Sequence, residues 1–421
     1  MIRNLFSTTA SRLIIALINL CSVWLIARFM GATVLGTVSL IILGMSIIQM
    51  FTAILAGSSL VYQASRKSVA ELLVAGWIWI PLSGLPVWAC LLILKLIPDG
   101  YVIDVFLLSL LGSLVTINQN LFLGKEKISY FNGIAILQSF LMVACLLVFM
   151  FAFKWYEVSA YVTAQYISMI ICFITGMINI MPPLKEFRFP RWQTITEAFS
   201  FGGYLQTASI MQLLNYRLSY YLIEKFFDRA TLGVYSLGVQ IAESVWIIAK
   251  SMAVLLYSRL SNSRDPQYSA MLTNNFIKVV TILTVVLMLI IISLPENLFT
   301  FIFRSEFGKI TSVIGGLSPG IIAIAISLML SHYFSGTGKP YYNAISSGIG
   351  LIFTVVLGFL LIPLYGLTGA ALTASASYLS SMIFQLIVFK NTASLTWRSF
   401  IPCQSDFKRM KEELLTLFKT T

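Results

Sequence analysis

A chain of 421 residues with 58% hydrophobic and only 10% charged residues, at a mean hydropathy of +0.89, cannot cover a water-facing surface. A soluble domain carries roughly a quarter charged residues, so this chain must face lipid. The formal charge of +12 is spread over short loops with no basic block in a polar domain, which argues against a nucleic-acid partner. One histidine, His332, and five scattered cysteines (Cys21, Cys90, Cys145, Cys172 and Cys403) argue against histidine-based catalysis, a metal site or a disulfide framework.

Arg3 and Arg12 precede an apolar run, as in a signal peptide, but the run continues to about Met30 without a small-residue cleavage site, so it is read as a retained first helix. Apolar runs of about 20 residues predict spans over 9–30, 36–61, 72–96, 101–123, 130–153, 158–180, 199–223, 231–258, 276–303, 311–334, 341–363 and 366–389. Turn or charge signals separate them, among them Gly31, Arg66-Lys67, Pro98-Asp99-Gly100, Asp265-Pro266 and Gly338-Lys339-Pro340. Residues 1–180 then form an N-terminal lobe of six helices, 181–198 a basic inter-lobe loop, and 199–390 a C-terminal lobe of six. In the tail, 391–421, Phe407, Met410, Leu414, Leu415 and Phe418 share one helical face opposite Lys408, Arg409, Lys411, Glu412 and Glu413. That pattern suits a helix lying on the membrane surface, or one that binds a partner. Cations are concentrated in every second loop (Arg66, Lys67, Lys125, Lys127, Lys185, Arg188, Arg191), which places both termini in the cytoplasm.

The stretch from Arg28 to Leu40 recurs 197 residues later from Lys225 to Leu237: a cation, a Phe, a Leu-Gly pair and a Ser-Leu pair coincide. A weaker match at an offset of 212 aligns Gly124, Lys127 and Tyr130 with Gly336, Lys339 and Tyr342. With six spans per half, the repeat is parallel, a pseudo-twofold about the membrane normal, and it predicts an all-α polytopic protein of two lobes around a central cavity. Such an arrangement is usually that of a transporter, whose site lies between the halves.

The chain resembles the Wzx-like polysaccharide transporter family of the multidrug/oligosaccharidyl-lipid/polysaccharide superfamily over essentially its whole length. The residues carrying the resemblance are Ala27-Arg28-Phe29-Met30-Gly31 with Leu35-Gly36, Phe199-Ser200-Phe201-Gly202, Leu232-Gly233-Val234-Tyr235-Ser236, and the run from Pro363 through Gly366 to Ala371. Ser219 stands where relatives often carry an acid after the arginine of this span, so an Arg-Asp pair is not carried over. The resemblance implies a bacterial inner-membrane flippase. Its cargo would be an oligosaccharide on undecaprenyl diphosphate, moved from the cytoplasmic to the outer leaflet for O-antigen, capsule or exopolysaccharide synthesis. It also implies a polymerase and a chain-length regulator as partners, and no cofactor.

That task needs a hydrated cavity, because a diphosphate and sugars cannot enter hydrocarbon bare. Arg217, near the middle of the seventh span, and Lys250, in the eighth, are the expected cations for the diphosphate. Glu243 and Gln240 precede Lys250 on what a continuous helix would make one face. Two readings stay open: both cations face cargo, or Glu243 neutralises one of them as a buried lock. Glu243 is also the candidate group for proton coupling; sodium or the membrane potential are the other drives. The potential supplies about 2.3 kcal/mol per charge per 100 mV. Arg12 and Asn19 share a face of the first span and either line the cavity or snorkel to the headgroups. Arg28 and Lys225, at equivalent helix ends, are expected to snorkel or to pack in loops, with contact to the cargo as the alternative. Gln206 and Asn215 complete the predicted polar lining.

Two alternatives compete. A multidrug exporter of the same fold, coupled to protons or sodium, would want intramembrane carboxylates, and Glu243 is the only clear one. A polymerase or glycosyltransferase acting on lipid-linked sugars would want an outer loop with clustered acids, and Asp99, Asp104 and Glu296 form no convincing cluster.

Overall fold

The computed structural model describes residues 2–64, 66–183, 187, 189–262 and 265–400. The amphipathic tail beyond Phe400, and Lys185 and Arg188 of the basic loop, lie outside the described residues. Among the described residues every regular element is a helix. In a bilayer this follows from the backbone, whose N–H and C=O groups find no water and must pair within the segment.

Helix α1 (Ile2–Leu25) continues as a π-helical turn, Ile26–Met30, and ends at Gly31, whose φ of 90° a side chain would oppose. Helix α2 (Ala32–Ala56) is separated by Gly57 from the short α3 (Ser58–Ala64), so the span predicted as one helix over 36–61 is broken. Next come α4 (Val69–Ile93), α5 (Val102–Gly124), α6 (Ile128–Phe151) and α7 (Val158–Ile180). Helix α8 (Trp192–Phe226) is continuous over 35 residues, and α9 (Arg229–Ser244) and α10 (Trp246–Asn262) meet at Val245 with a 42° bend. Helix α11 (Pro266–Ile292) starts ten residues before the predicted span at 276. Asp265 caps it by accepting the N–H of Gln267 at 2.8 Å, with Pro266 as its first residue. The short α12 (Glu296–Ile302) follows Pro295, then α13 (Ile310–Gly336) and α14 (Tyr341–Thr392). At 52 residues α14 far exceeds the roughly 20 that a bilayer needs. It is two helices joined at a kink, where Gly366 takes φ 55° and ψ −127° just after Pro363.

Among the described residues, nine helices are long and apolar enough to cross a membrane, with the kinked α14 counted once, and the bent pair α9–α10 makes a tenth. Leu17, Leu82, Ile93, Phe140 and Leu364 are all exposed, as lipid-facing residues of a multi-pass protein must be.

Packing divides the chain into two compact units. The first comprises Arg3–Leu213 together with Asp228–Gly233, and its interior includes Leu60, Leu72, Leu73, Ile117 and Leu121 from α3, α4 and α5. The second comprises Leu214–Phe227 and, among the described residues, the chain from Val234 to Phe400, with Phe276, Tyr333, Phe334 and Phe389 in its core. The division between the units therefore falls inside α8, downstream of the 181–198 loop where composition suggests it. The first half of α8 is fastened to the first unit. Phe199 meets Trp79 edge-on at 5.7 Å, Glu197 pairs with Lys67 at 2.7 Å, and Gly202 lies so close to the Ile54 carbonyl that a Cβ would collide with it.

Candidate functional site

Arg217 lies in the second half of α8, within the second unit. Its guanidinium donates from Nη1 to Glu243 Oε1 at 2.9 Å and from Nη2 to Oε2 at 2.7 Å. This two-pronged geometry is the strongest form of the arginine–carboxylate pair. Glu243 sits next to the last residue of α9, two positions before the bend at Val245, so the pair ties α8 to the bent span where it changes direction. Both side chains are partly open, at 24% and 16% exposure, and thus within reach of a ligand or water.

Aromatic rings enclose the pair. The guanidinium carbon stands 5.3 Å from the Tyr220 ring, and Nη1 also donates to the Tyr220 hydroxyl at 3.3 Å. Tyr220 packs edge-on against Tyr235 at 5.7 Å, while Tyr216 touches Trp246 at 5.6 Å and Tyr378 at 5.3 Å. Among the described residues α8 is not one of the helices apolar enough by itself to cross a membrane, but an arginine held among aromatic rings is still costly without a counter-charge. The carboxylate cancels its charge, and the rings supply a polarisable wall that tolerates a cation. Of the two readings of Glu243, the geometry has it neutralising Arg217.

Lys250 is placed differently. The bend between Ser244 and Trp246 interrupts the helix face that would carry Gln240, Glu243 and Lys250 together. Lys250 is exposed, with Nζ 5.7 Å from the Trp246 ring, and Gln240 is half-buried on α9.

Asn215, expected to line a cavity, is only 4% exposed. Its Oδ1 accepts from Thr354 Oγ1 at 2.5 Å and from the Ser377 hydroxyl, which also reaches the Gly350 carbonyl at 2.7 Å. It bolts α8 to both halves of α14, the common use of a buried amide between membrane helices.

In the first unit, Arg12 and Asn19 are exposed on α1 among exposed Leu13, Ile14 and Leu17. Gln206, on the first half of α8, donates to Met50 Sδ at 3.0 Å. It borders a cavity of about 250 Å³ between α2, α5 and α8, whose polar walls include Ser46, Gln49, Thr52, Ser113 and Thr116. Gln49 is one of several amides visible in the apolar runs. The hydroxyls that line the cavity with it carry no signal, because serine and threonine are ordinary residues of membrane helices.

Of the remaining expected cations, Lys225 is exposed, with Nζ 5.6 Å from the Phe359 ring, and Arg28 is half-buried at the end of the π-helical turn. Among the described residues no group of three or more His, Cys, Asp or Glu side chains is arranged to hold a metal ion.

Residues 1–263 match the sequence profile described as "Polysaccharide biosynthesis protein". The chain belongs to that family. It is also 25% identical, over 190 residues, to the capsular polysaccharide biosynthesis protein CapF of Staphylococcus aureus. That match covers 44% of this chain and 48% of the relative, so it spans about half the length of the curated protein. Among solved structures, an inward-facing multidrug resistance MATE transporter of the MOP superfamily superposes with a TM-score of 0.74 at 13% identity, covering 90% of this chain and 94% of that one. The lipid II flippase MurJ in an inward closed conformation gives 0.69 at 17% identity, with 93% and 88% covered. A MOP superfamily transporter from Pyrococcus furiosus, whose binding pocket is described as having reverse polarity, gives 0.67 at 14% identity, with 93% and 95% covered. These likenesses establish the fold: an all-α membrane protein with the two-lobe architecture of MATE and MurJ proteins.

Proposed function

We propose that the protein is a flippase that moves an undecaprenyl-diphosphate-linked oligosaccharide from the cytoplasmic to the outer leaflet of a bacterial inner membrane. It would act by alternating access of its two six-helix lobes around a central cavity, with both termini in the cytoplasm. Membership in a polysaccharide biosynthesis family, on the fold shared with a lipid II flippase, supports the class of cargo. The observation that carries the reading is the partly open Arg217–Glu243 fork. A diphosphate entering the site offers paired oxygens that a guanidinium can also grip with two parallel hydrogen bonds, so it can take over the guanidinium in place of Glu243. Glu243, released, is then free to bind a proton or sodium ion, which gives the exchange a coupling step. Lys250 adds a second cation along the path, and Arg12 and Asn19 contribute polar surface on α1.

A drug exporter of this fold would need a carboxylate free for its cationic cargo, and both oxygens of Glu243 are committed to Arg217. The transport reading also makes a polymerase and a chain-length regulator the expected neighbours in the membrane.

The test is the leaflet location of the lipid-linked oligosaccharide in cells carrying Arg217→Ala, with membrane insertion of the variant verified. Accumulation on the cytoplasmic side is expected. Normal translocation in the variant but not in cells lacking the gene would exclude Arg217 from the path, and normal translocation without the gene would exclude the function.

A further inference from the structure

The cavity of the first unit has a lining that specifies a ligand chemistry. Each hydroxyl on its wall already has a use for its proton within the protein. Ser46 donates to the Ile42 carbonyl at 2.7 Å, Thr52 to Gln49 at 2.9 Å, Ser113 to Ser109 at 2.8 Å and Thr116 to Gly112 at 2.8 Å. Thr52 and Ser113 also stand 2.7 Å apart, close enough for one to donate to the other instead. With its proton committed in this way, a hydroxyl keeps only lone pairs for a guest, so this wall accepts hydrogen bonds. The amides of Gln49 and Gln206 add donors and acceptors to the lining. Gly112 makes room for the first of these, since a Cβ there would collide with Gln49 Nε2. Met50, Ala53 and Ala56 supply an apolar floor.

Among the described residues no charged side chain lines the cavity. A cation would lose its hydration without a carboxylate to replace it, and an anion would meet a wall of acceptors. The fitting guest is neutral, rich in hydroxyl donors at its rim and apolar on its C–H faces. The volume of about 250 Å³ equals that of about eight waters at some 30 Å³ each, enough for one pyranose ring and too small for a whole repeat unit. We infer that this cavity is a sugar-binding subsite that takes a single neutral pyranose of the cargo. Its part in transport rests on the flippase reading, while the binding itself does not.

The test uses the full chain in lipid nanodiscs and saturation-transfer NMR with the methyl glycosides of glucose, galactose, mannose and N-acetylglucosamine as probes. At least one should give saturable transfer. Thr116→Phe, which fills the cavity, should abolish it. Thr116→Val keeps the shape but removes one acceptor, and should weaken binding about three- to tenfold; it remains informative if the bulkier variant fails to fold. Absence of transfer for all four glycosides, or transfer undiminished in both variants, overturns the subsite. The leaflet assay on the wild-type protein separates the two readings. Glycoside binding without translocation would leave the subsite standing and defeat the flippase, and translocation without glycoside binding would do the reverse.

Discussion

Gly36 of α2 and Gly233 of α9 lie in mutual contact: a Cβ on Gly36 would fall on the carbonyl oxygen of Arg229, and a Cβ on Gly233 on the carbonyl oxygen of Ala32. Ala32 and Arg229 are 197 residues apart, as are the two glycines. The contact is therefore reciprocal: each helix start offers a glycine to the other and a backbone carbonyl in return. The Leu-Gly pairs that stand out in the sequence as a repeat are the places where two helix starts touch backbone to backbone.

Gly36→Ala and Gly233→Ala should each destabilise the protein by about 1–3 kcal/mol, because a methyl must push apart a pair of packed backbones. The double variant should cost less than the sum, since the first methyl already makes space for the second. Thermal unfolding in detergent of the two single variants and the double reads this directly, and strict additivity would mean that the sites do not share one contact.

Removing one member of the Arg217–Glu243 pair should harm more than removing both. Glu243→Leu leaves a guanidinium without its counter-charge, at a cost of about 1–3 kcal/mol for this partly open site, below the full figure for a buried pair. Arg217→Met combined with Glu243→Leu should recover most of that loss in unfolding temperature, yet transport should stay abolished. A double variant that translocates cargo would defeat the proposed role of the pair.

Asn215→Leu should cost about 1–3 kcal/mol by leaving the hydroxyls of Thr354 and Ser377 without their shared acceptor. Hydrogen exchange should report the loosening in α8 and α14 of the second unit, with the amides of α5 unchanged.

Asp228, between α8 and α9, accepts the N–H of Thr231 at 2.6 Å, and these hydrogen bonds at the helix start hold its carboxyl below the usual carboxylate range. A depressed value in the folded state means a stabilisation present above the unfolded pKa and lost as pH falls through the folded one. Asp228→Ala should lower stability by about 1 kcal/mol at neutral pH. The gap between variant and wild type should close once the medium is acid enough to protonate Asp228. A gap that stays constant across that range would show that the charge of the cap contributes nothing.

Arg217 was legible as a lone cation in an apolar span, and its lock by Glu243 as one of two options. Helical spacing aligns Lys250 with Glu243, but that spacing assumes a straight helix, and the 42° bend at Val245 removes the assumption. Asn215 read as cavity lining because polarity inside a span does not say whether the group faces water or another helix. Ser46, Ser113 and Thr116, which line one cavity with Gln206, have no linear signature.

The sequence by itself determined the solvent, the helical class, and most of the helix ends. Lipid selects long apolar runs whose backbone pairs internally, and Gly31, Pro266 and Gly366 punctuate them through constraints carried within one or two residues. The tertiary structure alone decided which side chains meet. Periodicity fixes the face of a helix that a residue occupies, but not the neighbour that this face will find. The pairing of Arg217 with Glu243, the burial of Asn215 against Thr354 and Ser377, and the division of the units within α8 all arise from packing between segments distant along the chain.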